Sequence, residues 1–198
     1  ERKFDLLMKL IEREQPKQAI IFCRTERGTD KVHHRLSKRI REAECIHGDL
    51  TQNVRDRVMA DFRAGKVRYL VATDVVGRGI DVSGISHIIN YDLPQFCDDY
   101  VHRVGRTGRM GREGVAYSFV MPEEGNELTR IEMRINRLLE RAEIDGFETL
   151  ARPIATPEAQ QDRVAQKMPL ALHTLAALPG SPAGTLRRRR HPVRQPRL

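Results

Sequence analysis

Apolar positions in the first 150 residues fall into two alternating kinds of pattern. Short, nearly continuous apolar runs read as strands: "AIIFC" (19–23), "YLVAT" (69–73), "HIINY" (87–91) and "VAYSFV" (115–120), with a shorter "AECI" (43–46). Runs without polar alternation are what parallel strands covered on both faces require. Between them lie stripes at helical spacing. Val32, Leu36 and Ile40 form one; Val54, Val58 and Phe62, with Met59 beside them, a second; Leu128, Ile131, Ile135, Leu138 and Leu139 a third. Another amphipathic run, Phe4, Leu6, Leu7, Leu10 and Ile11, opens the chain. Thr51 reads as the cap of the second stripe and Gly65 as its stop. Met and Leu at this spacing are core residues and carry no functional reading.

Strand and helix in alternation predict an open α/β sheet with a mostly parallel order. In such sheets the functional loops lie beyond the carboxyl ends of the strands. Four polar, glycine-rich segments are therefore expected along one edge: "RTERG" (24–28), "HGDLTQ" (47–52), "TDVVGRGID" (73–81) and the segment after "HIINYDLP".

The pattern changes near Ala151. Seven of the ten prolines lie beyond it, and none of the ten Phe and Tyr residues do. Such a segment buries too little apolar surface to offset its ordering entropy. Residues 151–198 are read as a disordered, Pro/Arg-rich basic tail, with "LALHTLAAL" (170–178) as a weak short helix lacking an obvious partner. Residues 1–150 are read as one domain.

Charge sharpens this division. The formal net charge of +8 points to a nucleic-acid partner. Residues 1–150 carry 26 Lys and Arg against 25 Asp and Glu, whereas residues 151–198 carry 9 against 2. If the first part binds nucleic acid, it does so with placed residues rather than bulk charge. Cys23, Cys45 and Cys97 are too far apart for a disulfide framework or a zinc site. His47 near Cys45 and the pair His33/His34 are read as ordinary side chains, so no metal site is assigned. A reducing compartment, the cytoplasm, is the expected location. No apolar run approaches the roughly 18 residues of a membrane span and no signal peptide is visible, so a soluble protein without membrane contact is expected. The missing initiator Met fits a piece of a longer protein.

Three segments carry candidate chemistry. In "ATDVVGRGIDV" (72–82), Gly77 and Gly79 permit close backbone approach, Thr73 offers a hydroxyl, and Asp81 can accept from sugar hydroxyls. An ordinary glycine-rich turn with a solvated ion pair fits that spacing equally well. In "HGDLTQNVRDRVMADFRAG" (47–65), Gln52 and Arg55 fall in the first turn of a helix, where Arg55 could meet a phosphate. A solvated helix face is the commoner meaning of such residues. In "HRVGRTGRMGR" (102–112), Arg103, Arg106, Arg109 and Arg112 recur every third residue, with Gly105, Gly108 and Gly111 between.

"YDLPQFCDDYVHRVGRTGR" closely resembles the last motif of the DEAD-box ATP-dependent RNA helicases, and the other words fall in the family's order. "AIIFCRT" resembles the first motif of its second domain, "HGDLTQNVR" its His-Gly-Asp and Gln-x-x-Arg segment, and "ATDVVGRGID" its fifth motif. The match covers residues 1 to about 145. His102 favours this family over DEAH-type relatives, and over DNA-acting ones. Val76 and Gly77 stand where Ala-Ala is common, a change of turn flexibility more than of chemistry.

The resemblance implies a RecA-like, three-layer sandwich, and the C-terminal domain only. No G-x-x-x-x-G-K-[ST] loop and no Asp-Glu-Ala-Asp occurs; in the family these belong to the N-terminal RecA-like domain, which mainly holds ATP with Mg2+. By resemblance, Arg106 and Arg109 are arginine fingers for the γ-phosphate and His102 links to the nucleotide side. Gly79 and Asp81 contact the ATP ribose, and Thr25, Gly48, Arg55 and Thr73 contact the RNA backbone. Arg103 reads as interdomain or structural and Arg112 as solvated. The implied function is local RNA unwinding or remodelling coupled to ATP hydrolysis, with the isolated domain inactive. The alternative is a non-catalytic RNA-binding module acting through its basic tail.

Overall fold

A computed structural model describes residues 2–74, 85–108, 114–145, 147 and 171–175. The expected strands all form: β1 (Ala19–Phe22), β2 (Ala43–Ile46), β3 (Tyr69–Ala72), β4 (His87–Asn90) and β5 (Val115–Val120). All five run parallel, in the order β2-β3-β1-β4-β5. Their register aligns Ile46, Ala72, Phe22, Asn90 and Ser118 in one row. The loops leaving these positions therefore begin along a single edge, as the sequence predicts.

Helices cover both faces. Strand alternation sends Ile20, Phe22, Leu70, Ala72 and Ile88 to one side, where they pack on α3 (Gln52–Arg63), α4 (Cys97–Val104) and α5 (Gly125–Ile135). Ala19, Ile21, Cys23, Cys45, Val71 and Ile89 go to the other side, against α1 (Arg2–Glu14) and α2 (Glu26–Ser37). Ile20 and Ile21 are both fully buried, each contributing about 1.5–3 kcal/mol by removal from water. Burial on both faces is the physical reason for the unbroken apolar runs.

Several local expectations are corrected. Thr51 precedes α3 in extended backbone but forms no capping hydrogen bond through its side chain; only its carbonyl serves, accepting from the Arg55 amide. Gly65 does stop the helix, at φ +74°. The third stripe is interrupted because Asn136 takes a left-handed conformation after Ile135. Leu139 is buried beyond that break, but Leu138 is 77% exposed. Residues 171–175 form a strand rather than part of a helix. This strand, β7 (Ala171–Leu175), runs antiparallel to β5, with Val120 opposite Ala171, and carries β6 (Glu140–Ala142) on its far side. The unpaired backbone of β5 offers an extended segment hydrogen bonds that an isolated short helix lacks.

Candidate nucleotide and nucleic-acid interface

Helix α4 ends the "YDLPQF" loop and carries the first part of the arginine-rich motif. Its period of 3.6 turns Asp99, Tyr100, Arg103 and Val104 inward while Val101 and His102 stay exposed. Arg103 is thus 2% exposed and fully engaged. Its Nε and Nη2 donate to the Asp74 carboxylate at 2.6 and 2.7 Å. Nη1 donates to Asn90 Oδ1 at 3.0 Å and to the Asp92 carbonyl at 2.7 Å, and the guanidinium lies over the Phe22 ring. Asn90, itself buried, passes the network on to Ser118 Oγ at 3.0 Å. The Asp92 side chain accepts from Lys3 Nζ on α1 and from the Arg24 amide. Arg103 therefore ties the ends of β3, β4 and β5 to α4. Its guanidinium is spent on contacts within the domain.

Fixing Arg103 inward sets the direction of its neighbours. His102 is half exposed, its Nδ1 3.9 Å from Asp99 Oδ1. Arg106, partly exposed, donates from Nε to the His102 carbonyl at 3.2 Å. Thr107 Oγ1 donates to the Ile85 carbonyl at 2.6 Å, and Gly108 sits at φ +68°. Gly114 passes so close to Thr107 and Gly108 that a side chain there would collide with both. Arg109, Arg112, Gly79 and Asp81 lie outside the described residues.

The residues expected to meet RNA gather on the other half of the edge, behind β1, β2 and β3. Thr25 is the N-cap of α2, its Oγ1 accepting from the Gly28 amide at 3.0 Å. Gly48 is exposed, and the Glu26 carboxylate occupies the space a Cβ would need. Arg55 stands in the first turn of α3 with Nε buried and unpartnered. Thr73 is 5% exposed, and its Oγ1 likewise has no partner. A buried polar atom without a partner costs about 1–3 kcal/mol. Two such atoms at the carboxyl edge suit an incoming polar ligand such as a phosphate backbone.

Sequence reasoning did not find Asp74, Asn90, Asp92 and Ser118 as one network. A signal was present: Asn90 is a polar residue in an otherwise apolar strand. Nor did it find the contact between His47 Nε2 and Asp30 Oδ1, at 3.0 Å, because the two lie on different elements. Cys45 beside them has its thiol pushed up to about 11, first by burial and then by Asp30 and Glu44.

Residues 2–111 match the model of the helicase conserved C-terminal domain. Among solved structures, the C-terminal domain of the DEAD-box protein Dbp5 is 38% identical, with a TM-score of 0.62 over 67% of this chain and 78% of that one. The chain belongs to the DEAD-box helicase C-terminal domain family. Its RecA-like architecture is shared with the E. coli DEAD-box protein SrmB bound to the regulator RraA, 31% identical, TM-score 0.72, covering 78% of this chain and 91% of that one. S. cerevisiae Dbp5 bound to RNA and ADP BeF3 aligns at 39% identity and TM-score 0.62, over 66% of this chain and 35% of that one. The DEAD-box ATP-dependent RNA helicase CshA of Bacillus cereus is 43% identical over 167 residues, 84% of this chain. The chain spans 31% of that relative's length. No helix among the described residues is long and apolar enough to cross a membrane.

Proposed function

We propose that this DEAD-box domain is the C-terminal half of an ATP-dependent RNA helicase that remodels or locally unwinds RNA. The observation that carries the proposal is the anchoring of Arg103, which leaves His102 on the outer face of α4 and Arg106 in the turn just beyond its end. An N-terminal RecA-like domain of the same protein is the partner, holding ATP with Mg2+. The cation bound there supplies charge neutralisation at the phosphates. On this side Arg106 and Arg109 stabilise charge developing on the transferring γ-phosphoryl group as water attacks and the bond to the β-phosphate oxygen breaks. A single arginine supplied in this way is worth roughly 10³–10⁵ in rate. His102 links the motif to the nucleotide side of the partner domain, and Gly79 with Asp81 receives the ribose.

Thr25, Gly48, Arg55 and Thr73 hold the RNA backbone, a contact that positions without reading bases. The unpartnered Arg55 Nε and Thr73 Oγ1 support this assignment. ATP and RNA bind the closed arrangement of the two domains more tightly than the open one, and hydrolysis reverses that preference. We place the protein in the cytoplasm, in keeping with its free cysteines; the division of the chain near Ala151 is part of the same reading, with residues 171–175 returning to the sheet beside β5.

The test joins this chain to a compatible N-terminal domain. RNA-stimulated ATP hydrolysis should appear, while the chain alone should show none. Arg106→Ala should lower hydrolysis by about 10³-fold or more with RNA binding kept. ATP hydrolysis by the isolated chain would overturn the assignment. Loss of nearly all RNA affinity on truncation at residue 150 would instead favour a binding module acting through the tail.

A further inference from the structure

His47 is a buried polar group that the reading above leaves without a task. It follows β2 on the same side as Cys45, facing α2, and is 3% exposed. Its Nε2 is 3.0 Å from Asp30 Oδ1 on α2. A carboxylate only accepts, so Nε2 carries the proton and the lone pair is left on Nδ1. Nδ1 is buried and has no hydrogen-bond partner. Two further carboxylates close in: one oxygen each of Glu26 and Asp49 and a ring nitrogen of His47 all lie within 4.8 Å of one another. Among the described residues neither carboxylate has an ion-pair partner.

We propose that His47 Nδ1, Glu26 and Asp49 form a site for one divalent first-row transition cation, with Asp30 as the outer carboxylate that fixes the imidazole. A proton donated by the far ring nitrogen to a carboxylate is the arrangement that orients histidine ligands and raises their basicity. One imidazole and two carboxylates, with Asp49 exposed, suit Mn2+ or Zn2+. They do not supply the six to eight oxygen ligands of Ca2+. The cation cancels the repulsion between Glu26 and Asp49 and gives Nδ1 the partner it lacks. It also pins the loop after β2 to the first turn of α2, on either side of Gly48. Cys45 Sγ lies 3.9 Å from Asp30 Oδ1, the outer carboxylate, and takes no part in the proposed donor set.

The test is a Mn2+ titration of the whole chain, followed by electron paramagnetic resonance, with Co2+ absorption as a second probe. One Mn2+ should bind per chain. Glu26→Gln and Asp49→Asn, both changes of side chains that reach the surface, should each weaken binding at least tenfold. Asp30→Asn should weaken it by roughly 10–100-fold, as loss of an outer partner does. Circular dichroism checks that each variant keeps its fold. Co2+ should show no thiolate charge-transfer band, and Cys45→Ser should leave the affinity unchanged. The proposal is overturned if neither Mn2+ nor Zn2+ binds at millimolar concentration. It is also overturned if the affinity survives the combined Glu26→Gln and Asp49→Asn change, or if a thiolate band appears.

Discussion

Arg103 and Arg55 stand at the same edge of the same sheet in opposite states. Arg103, on the β4 side, spends its guanidinium on Asp74, Asn90 and the Asp92 carbonyl. Arg55, on the β2 side, keeps a buried Nε with no partner, as Thr73 keeps its hydroxyl. Among the described residues Arg103 is thus spent on internal contacts, whereas Arg55 Nε and Thr73 Oγ1 are polar atoms held in reserve. The lesson is that an arginine in a functional motif can serve by being unavailable: Arg103 fixes the direction of His102 and Arg106 because it cannot itself reach out.

The contrast can be broken most severely at Arg103. Arg103→Met leaves Asp74, Asn90 and the Asp92 carbonyl without their common donor. Removing one partner of a buried pair costs about 3 kcal/mol or more, so the urea midpoint should fall sharply. Stability within half a kcal/mol of the parent would show the network to be ornamental.

A smaller effect belongs to Thr25, which is both a cap and an expected RNA contact. Thr25→Ala should lower stability by about 1 kcal/mol through the lost bond to the Gly28 amide. Thr25→Ser, which keeps the cap, should restore it. If serine also restores RNA affinity, the hydroxyl and not the methyl serves both roles.

The smallest change in stability, and the most informative one, is expected at Arg55. Arg55→Gln removes a charge whose buried Nε has no internal partner to lose, so any loss of stability should stay below about 0.5 kcal/mol. RNA binding by the chain joined to its partner domain should weaken about tenfold, the worth of one charge-assisted contact. The salt dependence should flatten by about 0.7 in log–log slope. A large loss of stability with RNA affinity unchanged would reverse the comparison, making Arg55 the structural arginine.

Much of this was legible along the chain. Five apolar runs became five parallel strands, because strands buried on both faces read as short unbroken apolar runs bounded by polar, glycine-containing loops. The edge at which the polar loops meet followed from strand direction alone. Leu138 and residues 171–175 were misread for related reasons. Periodicity does not report the left-handed turn at Asn136 that takes Leu138 out of the stripe. Local propensity does not report that β5 offered an open edge to an extended segment.

The sequence by itself determined the layers of the fold, the family and the identity of the motif residues, because these depend on residue type and spacing over short distances. Only the tertiary structure decided which arginine is spent and which is in reserve. It also decided that Asp30 on α2 holds the His47 imidazole while Glu26 and Asp49 approach it. Apart from Asp49, close to His47 in the chain, those facts depend on side chains 13 to 29 positions apart, brought together by the packing of helices on a sheet. Spacing in the chain carries no record of that meeting.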